Sequence, residues 1–525
     1  MSAATATPAK KEEKTGLLAT VANNARQYGI VGALLIIVVA FEILTGGVLL
    51  KPNSFVSLIQ QNAYVIILAI GMVMVIIATH IDLSVGSLVA FIGGVCALLM
   101  ERAGVNWMLA IVIALVVGLI VGVWQGFWVA VIGIPGFITT LAGMLIFRGL
   151  ATVIVGESVP ITSLEFRGIA RNYLPNILGW WGPFDGLTIV LGILCIVGFA
   201  WSQLRKRARV AKVGLVPEPM SLTVLKIVLA AVVIAFVTYL LASSGNADQG
   251  GTPIMLVIVG VLVFIYNFIL TKTVFGRHVY AVGGNRKAAI LSGINTRRVD
   301  FLLFVHMGFL SAVAAVCMLS RLASATAQAG MEFEMDAIAA CFIGGTAVTG
   351  GIGTIPGAVI GAFVMGVINQ GLSIMGVDTA VVKTIKGLVL LLAVAVDIMS
   401  KRKKSCPSPF SSSMWDSCRC RWCGSHTVIC RHSCNQRTFS AMKLTARSTS
   451  RMYALTCLAC VIWLWQSLVE ANNDGSLFNW ATIVFSLCLL VVIGWSGWNA
   501  VAGWNAKETE AATAGAKDDE GSTDR

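Results

Sequence analysis

The residues best suited to chemistry are the few ionisable side chains inside or beside long apolar stretches. Glu42 and Asp82 lie within such stretches, and Asp300, Asp336 and Asp397 lie at their edges. Carboxylates at membrane depth are costly and are functional candidates by default. A self-powered pump or proton-coupled carrier needs several of them, and this chain offers few. Asp82 has two open interpretations, as the cap of a helix that begins after it or as a residue lining a substrate path.

Other chemistry-bearing patterns are missing from residues 1–404. His80 and His306 are isolated histidines, for which we expect structural roles. Residues 1–404 contain no metal-ligand spacing, nucleophile elbow, dinucleotide fingerprint or phosphate loop. Glycine motifs such as Gly351-Ile352-Gly353 are not nucleotide-binding loops, because they lie in apolar segments without a strand before and a helix after. We therefore expect no enzyme activity, metal or cofactor, and we expect that energy for uphill transport comes from a partner protein.

The composition requires a membrane to solvate the chain. Of the 525 residues, 57% are hydrophobic and 12% are charged, whereas soluble domains carry roughly 25% charged residues. This excludes a cytosolic globular enzyme, a disordered protein and a nucleic-acid-binding module. The net charge of +13 lies in short stretches between apolar runs and forms no clustered stripe of the kind that binds nucleic acid.

The apolar segments predict an all-α, polytopic transmembrane bundle, because about 20 apolar residues cross a bilayer. Gly, Ser and Thr clusters at 81–87 and 344–353 predict broken or re-entrant segments. Phe-Ile-Gly-Gly at 91–94 and again at 342–345 suggests an internal two-fold repeat. The predicted segments are Tyr28–Thr45, Ala63–Ala78, Leu83–Met100, two within Ala103–Phe147 that break at Gly133–Gly136, Gly186–Trp201, Leu222–Ala242, Ile254–Leu270, Phe301–Ser320, and three within Ala337–Met399 separated by Gly350–Gly357 and Asp378–Lys386.

The charges between these segments predict the orientation. With the N-terminus inside, segments 1–27, 203–226 and 272–298 hold 16 basic and three acidic residues. The segments then placed outside hold seven acidic and three basic residues; they are 155–185, 244–252 and 321–336. Basic residues in short loops mark the cytosolic side, so we expect a cytosolic N-terminus.

Segment 272–298 is the predicted contact with an energy-supplying partner. It is too polar to span a membrane, and Asn285 is placed to cap a short helix that Gly293 would end. Two interpretations stay open on physical grounds. The short helix could dock into a groove of another protein, or it could lie on lipid with its basic residues at the headgroups.

Residues 276–285 and 288–294 resemble the cytosolic coupling segment of bacterial monosaccharide ABC-importer permeases, the group that imports ribose, xylose, arabinose and multiple monosaccharides. Stretches 81–87, 135–144 and 336–346 agree with the same family in the same order. The resemblance covers roughly residues 25–404. The long insertion around 155–226 is similar to that of the D-xylose and multiple-monosaccharide permeases.

The resemblance implies a multi-pass permease of the bacterial inner membrane that works as a homodimer in the lipid bilayer. Its implied partners are a cytosolic ABC ATPase, which binds and hydrolyses ATP, and an extracytoplasmic sugar-binding protein that sets most of the selectivity. By matching position, ATPase coupling is carried over to Arg277, Gly284, Asn285, Ala288 and Gly293. The hypothesis for the translocation path names Asp82, Ser84, Ser87, Thr139 and Thr346.

Three alternatives are weighed against this function. The same architecture could carry a nucleoside or an amino acid. An ion-coupled secondary carrier would transport without a partner under an ion gradient. A non-transporting membrane scaffold is disfavoured by the Gly, Ser and Thr breaks at membrane depth.

The chain continues beyond the point where such a permease should end. The predicted organisation is a cytosolic tail (1–27), a permease domain (28–404), a Cys-rich irregular junction (405–440) and a possible two-span hairpin with an acidic tail (441–525). The spacing of the junction cysteines does not fit a zinc finger. Our hypothesis is a shifted-frame or read-through junction, and the alternative is a genuine accessory hairpin.

Overall fold

The structure is a computed structural model that describes residues 25–214, 219–246 and 249–404, with scattered helical residues between 454 and 497. The chain divides into two compact units, Met1–Phe410 and Ser411–Arg525. The predicted junction 405–440 lies outside the described residues, and so does most of the predicted tail 1–27. In the second unit, the Cys457 Sγ atom lies 3.7 Å from the carbonyl oxygen of Ile493, and the two-span hairpin stays a prediction.

The described part of the first unit is almost entirely helical, which confirms the all-α polytopic prediction. Its helices, numbered in chain order, are α1 Ala25–Leu44, α2 Pro52–Ile77, α3 Val85–Glu101, α4 Trp107–Phe127, α5 Gly136–Val155, α6 Leu164–Arg171, α7 Gly186–Lys212, α8 Met220–Ala242, α9 Ile254–Lys272, α10 Val274–Gly284, α11 Arg286–Leu291, α12 Thr296–Leu322, α13 Phe333–Ile343, α14 Ile355–Ile374 and α15 Thr379–Lys404.

Eight of the helical segments in the described ranges are long and apolar enough to cross a membrane, and α3 is a shorter apolar helix. They include α2, α5, α7, α8, α9, α12 and α14, together with α4 extended by the π-helical turn Trp128–Ile132. Three two-stranded antiparallel pairs lie in the connections. They join β1 Val159–Pro160 to β6 Ser324–Ala325, β2 Trp180–Trp181 to β3 Phe184–Asp185, and β4 Gly245–Asn246 to β5 Gln249–Gly250.

Helices α2 and α12 form the centre of the bundle. In their most apolar windows 89% and 72% of residues are buried, against 11% in both α7 and α8. Small residues allow α4 to lie directly on α12, because a Cβ at Gly122 would come within 2.7 Å of the carbonyl oxygen of Phe304. Close backbone approach at glycine is a usual mode of helix packing in membranes. The exposed apolar side chains of α7 and α8 are those expected of lipid-facing helices.

The breaks between the helices confirm part of the predicted segmentation. The predicted break at Gly133–Gly136 is present, with Gly133 in the left-handed region (φ 88°). The predicted break at Gly350–Gly357 is present but lies earlier, as the connection 344–354, because α14 already begins at Ile355. A second break is also present, at 375–378, but its predicted bounds Asp378–Lys386 are wrong because α15 already begins at Thr379. The Asp378 carboxylate accepts a hydrogen bond from the amide of Ala380 (3.0 Å) and so starts the helix.

The second span is longer than predicted, since α2 begins at Pro52 instead of Ala63. Proline is favourable in the first turn of a helix. Gln60 and Asn62, which precede the predicted span, are both buried within the helix. They therefore bring polar groups into the bundle.

The two ends of the bundle are distinguished by the short helices that lie there. Helices α10 and α11, the end of α2 and the connection 344–354 lie together at what we call the α10 end. Helix α6 lies at the opposite, α6 end, where the Ser320 hydroxyl accepts a hydrogen bond from the amide of Ala170 (2.9 Å). The connection from α12 to α13 starts at the α6 end and returns into the bundle.

Candidate translocation and coupling site

The coupling segment predicted from the sequence forms two short helices at the α10 end. The Asn285 side chain accepts a hydrogen bond from the amide of Ala288 (3.1 Å) and caps α11. Gly293 follows the helix with φ 80°, which confirms the predicted cap and stop. The five residues assigned to coupling are all exposed, namely Arg277, Gly284, Asn285, Ala288 and Gly293. Beside them, the apolar residues Ile290 and Leu291 are 54% and 89% exposed.

Glycine and tyrosine fix this segment to the ends of the central helices. A Cβ at Gly283 would overlap the carbonyl oxygen of Ile77, at the end of α2. That same oxygen accepts a hydrogen bond from the amide of Gly351 (2.9 Å). The Tyr280 hydroxyl donates to the carbonyl oxygen of Gly353 (2.6 Å), and burial raises the pKa of this phenol, so it stays a neutral donor. These contacts fix α10 to both α2 and the connection 344–354.

A charged chain forms a second link from α11 into the bundle. The Arg286 guanidinium forms an ion pair with Asp300, at the start of α12. The other oxygen of Asp300 lies 3.2 Å from Nε2 of His80, in the connection between α2 and α3. Asp300 is 1% exposed and Arg286 is 42% exposed. We call these three residues the Arg286–Asp300–His80 link.

The sequence did not reveal this link. His80 was expected to be isolated, whereas it contacts a carboxylate 220 residues away. His306 is hydrogen-bonded too, because its Nδ1 atom lies 3.3 Å from the Tyr266 hydroxyl. Contacts over such separations leave no local signal. The charge of Asp300 at a segment edge was visible, but its partners were not.

Asp82 lies in a fully buried polar cluster two residues beyond His80. Its Oδ1 atom accepts hydrogen bonds from the amide (2.9 Å) and hydroxyl (2.6 Å) of Ser84. The Ser84 hydroxyl accepts in turn from the Gln125 side chain (2.6 Å). Because α3 begins only at Val85, Asp82 stabilises the turn before the helix and not its first turn, which corrects the cap interpretation. Gln125, inside α4, was missed because it is a single polar residue in an apolar run.

Among the five residues proposed for the path, Asp82 and Ser84 lie apart from Thr346. Asp82 and Ser84 lie against α5, because a Cβ at Gly143 of that helix would come within 3.4 Å of Ser84 Cβ. Thr346 lies in a separate group within the connection 344–354, with its methyl 2.9 Å from the position of a Cβ at Gly353. Four of the five have a buried oxygen without a hydrogen-bond partner among the described residues: Asp82 Oδ2, Ser87 Oγ, Thr139 Oγ1 and Thr346 Oγ1.

A further polar pocket, which the sequence did not indicate, lies between α2, α13 and α14. Its volume is about 60 Å³, and we call it the mid-bundle pocket. The Lys386 ammonium on α15 donates to the Asp336 carboxylate at its edge (3.0 Å). Tyr64 stacks on Phe333 with ring centroids 4.4 Å apart. The residues that line it are Leu58, Gln61, Asn62, Tyr64, Val65, Asp336, Gly366, Asn369 and Gln370.

A larger cavity of about 340 Å³ lies at the α10 end between α9, α10 and the connection 344–354. It is bordered by Asn267, Tyr280 and the start of α14. The residues in the described ranges include no cluster of three or more His, Cys, Asp or Glu that could hold a metal ion.

Interrupted helices, buried polar clusters and exposed short helices at one end together define a multi-pass membrane permease. Comparison with known proteins gives the family. Residues 54–394 match the family described as branched-chain amino acid transport system / permease component, and the chain belongs to this family. Its members are transport subunits of ABC importers and not enzymes. The family thereby implies an ATPase and a binding protein as partners.

Individual relatives agree with this assignment. The chain is 39% identical over 381 residues to the xylose transport system permease protein of Escherichia coli (strain K12), which covers 72% of this chain and 93% of the relative. It is 37% identical to the protein of the same name from Haemophilus influenzae, over 72% of this chain and 98% of the relative. It is 34% identical to the ribose import permease protein of Bacillus subtilis (strain 168), over 71% and 91%. No solved structure matches the chain.

Proposed function

We propose that this chain is the permease subunit of an ATP-driven importer that translocates a monosaccharide, a pentose such as D-xylose, delivered by an extracytoplasmic binding protein. The observation that carries the proposal is its similarity to a xylose permease over 93% of that relative's length. The scarcity of charge in the spans agrees with it, because a permease driven by an ATPase needs no chain of ionisable groups of its own.

In this proposal the α10 end faces the cytosol and receives the ATPase. The coupling residues Arg277, Gly284, Asn285, Ala288 and Gly293 form part of the contact, and all of them are exposed. The apolar side chains of Ile290 and Leu291 on α11 enter a groove of the ATPase. The basic residues of 272–298 support this orientation, and with it a cytosolic N-terminus.

Closure of the ATPase dimer moves α10 and α11, and two sets of contacts carry the movement inward. Gly283 abuts Ile77 and thereby the end of α2. The Arg286–Asp300–His80 link joins α11 to α12 and to the α2–α3 connection. Asp82 and Ser84 lie two and four residues after His80 in the α2–α3 connection. Displacement of that connection therefore changes the buried polar cluster on the proposed path.

The translocation path is lined by Asp82, Ser84, Ser87, Thr139 and Thr346. Four of them, all but Ser84, have a buried oxygen without a hydrogen-bond partner among the described residues, which supports this role. Buried polar groups normally find partners, so each exception calls for an explanation. A homodimer in the bacterial inner membrane completes the assembly, and the apolar outer helices are in contact with lipid.

The test is reconstitution of the full chain in liposomes with its ATPase and binding protein. We expect uptake of D-xylose that requires ATP, the ATPase and the loaded binding protein together. Uptake by this chain without an ATPase under a proton or sodium gradient would instead establish an ion-coupled carrier. ATP-dependent uptake of a nucleoside or amino acid, with none of D-xylose, would establish the same architecture with another substrate.

A further inference from the structure

We propose that the mid-bundle pocket is the site at which the permease itself contacts the hydroxyl groups of the sugar during translocation. The inference rests on the proposed function, because it assigns the contact site of the same transported sugar. It adds residues on α2, α13, α14 and α15 to the path: Gln61, Tyr64, Asp336, Asn369, Gln370 and Lys386.

The position of the pocket is the first argument. Asn62 lies ten residues after Pro52, where α2 begins, so the pocket lies roughly 15 Å along the helix axis from that end. Helix α13 begins at Phe333 and places Asp336 in its first turn beside this level of α2. The chain therefore enters the bundle from the α6 end and becomes helical only at mid-depth. Transporters commonly bind substrate where interrupted helices begin near the middle of the membrane.

The chemistry of the lining is the second argument. The side-chain amides of Gln61, Asn369 and Gln370 offer both donors and acceptors, and Asp336 offers acceptors. A sugar hydroxyl both donates and accepts, so such a set matches it. Asn369 Oδ1 is buried without a hydrogen-bond partner among the described residues. The ring of Tyr64, which lines the pocket and is held in place by its stacking on Phe333, supplies apolar surface for the C–H face of a pyranose.

The ion pair at the edge of the pocket is the third argument. Lys386 and Asp336 are 19% and 7% exposed, and paired charges inside a membrane bundle are costly to bury. A cavity of about 60 Å³ holds a few water molecules but no pentose, so the pocket is closed in this conformation. Separation of Lys386 from Asp336 by movement of α15 against α13 would open it. The sugar hydroxyls would then replace the ammonium as partners of the carboxylate.

The experiment compares two sugars in two pocket variants. Asn369→Leu and Gln370→Leu remove the polar amide atoms and keep a similar number of side-chain heavy atoms. The reconstituted complex is supplied with D-xylose, or with each monodeoxy-D-xylose, at concentrations that saturate the binding protein, and the maximal uptake rates are compared. In the wild type we expect at least one deoxy analogue to be slower than D-xylose by about three- to ten-fold, the effect of one hydrogen bond. In the corresponding pocket variant this ratio should return to near one.

The controls separate a contact from a structural effect. Gln203→Leu alters a half-buried amide on the peripheral helix α7 and should leave every ratio unchanged. If each pocket variant slows all sugars by the same factor, or if the wild type transports all analogues as fast as D-xylose, the proposed contact is refuted. A wild-type complex that imports no D-xylose refutes the proposed function instead, so the two failures are distinguishable.

Discussion

Two buried aspartates, Asp300 and Asp336, form ion pairs in two different regions of the bundle. Asp300 at the α10 end has two partners, Arg286 and His80, and is almost completely buried. Asp336 in the mid-bundle pocket has an ion pair with Lys386 and a hydrogen bond with the side chain of Asn369, beside a cavity. In our proposals, the carboxylate that joins two charged groups from different elements carries movement, whereas the one with a single cation beside free volume is placed to exchange that partner.

The largest effect is expected on removal of the carboxylate of Asp300, which has two partners. Asp300→Leu leaves Arg286 and His80 without their common partner, and loss of one member of a buried pair is strongly destabilising. We expect more than a tenfold loss of ATP-driven uptake and a lower melting temperature of the purified chain. Glu157→Leu, which removes an exposed carboxylate in the connection between α5 and α6, is the control. Equal uptake by the two variants would show that the Arg286–Asp300–His80 link plays no part in coupling.

The next largest effect is expected at two adjacent glycines, where a comparison of substitutions separates helix packing within the chain from contact with the ATPase. Gly283→Ala introduces a Cβ that overlaps Ile77, while Gly284→Ala meets nothing within 4 Å. We expect Gly283→Ala to destabilise the chain by about 2 kcal/mol, in the range for overpacking, and Gly284→Ala to leave its thermal stability unchanged. Any loss of ATPase binding in Gly284→Ala, measured by co-purification, then reports the interface directly. Equal destabilisation by both changes would contradict the close approach of Gly283 to α2.

A smaller effect is expected at the second aspartate, and it sharpens the comparison. Lys386→Met removes the ion-pair partner of Asp336. Lys383→Met removes the partner of Glu332 in an exposed pair, since the side chain of Lys383 is 54% exposed. Exposed pairs contribute little, so we expect Lys383→Met to change D-xylose uptake less than twofold. Lys386→Met should lower it by about three- to five-fold through the uncompensated carboxylate. Identical rates in the two variants would remove the distinction between the pairs.

The smallest effect is expected at Tyr280. Tyr280→Phe removes the hydrogen bond to Gly353 and should cost about 1 kcal/mol of unfolding free energy. Because the folded pKa is raised, this phenol stabilises the chain fully below about pH 10. That stabilisation falls as the pH rises through the raised folded pKa. Thermal unfolding at neutral pH tests the first expectation. A variant as stable as the wild type there would show that the hydrogen bond contributes nothing.

The sequence was most informative where a signal is local. The α11 cap at Asn285 and the stop at Gly293 follow from side-chain and backbone preferences within a few residues, and both are confirmed. The break at Gly133–Gly136 is confirmed for the same reason. The orientation and the internal repeat stay predictions.

The parts that sequence reasoning missed depend on contacts between distant segments. Gln60–Asn62 lie outside the predicted span, which begins at Ala63. Nothing local shows that the polar face of α2 meets α14, where Asn62 donates to the carbonyl oxygen of Ala362 (2.7 Å). Lys383 and Lys386 were assigned to a connection between apolar segments. Their ion pairs were not predicted, because the acidic partners, Glu332 and Asp336, lie about 50 residues earlier in the chain. Charges that neutralise each other across a fold are indistinguishable in sequence from charges in water.

The peripheral position of α7 and α8 has a consequence for how such chains diversify. These helices pack chiefly on each other, with Gly192 of one against Thr238 of the other, and they leave the α2–α12 core intact. Because these two helices pack mainly on each other, a chain could acquire or lose them without rebuilding the central helices. Variation in permease length is therefore easiest to accommodate here, at the margin of the bundle.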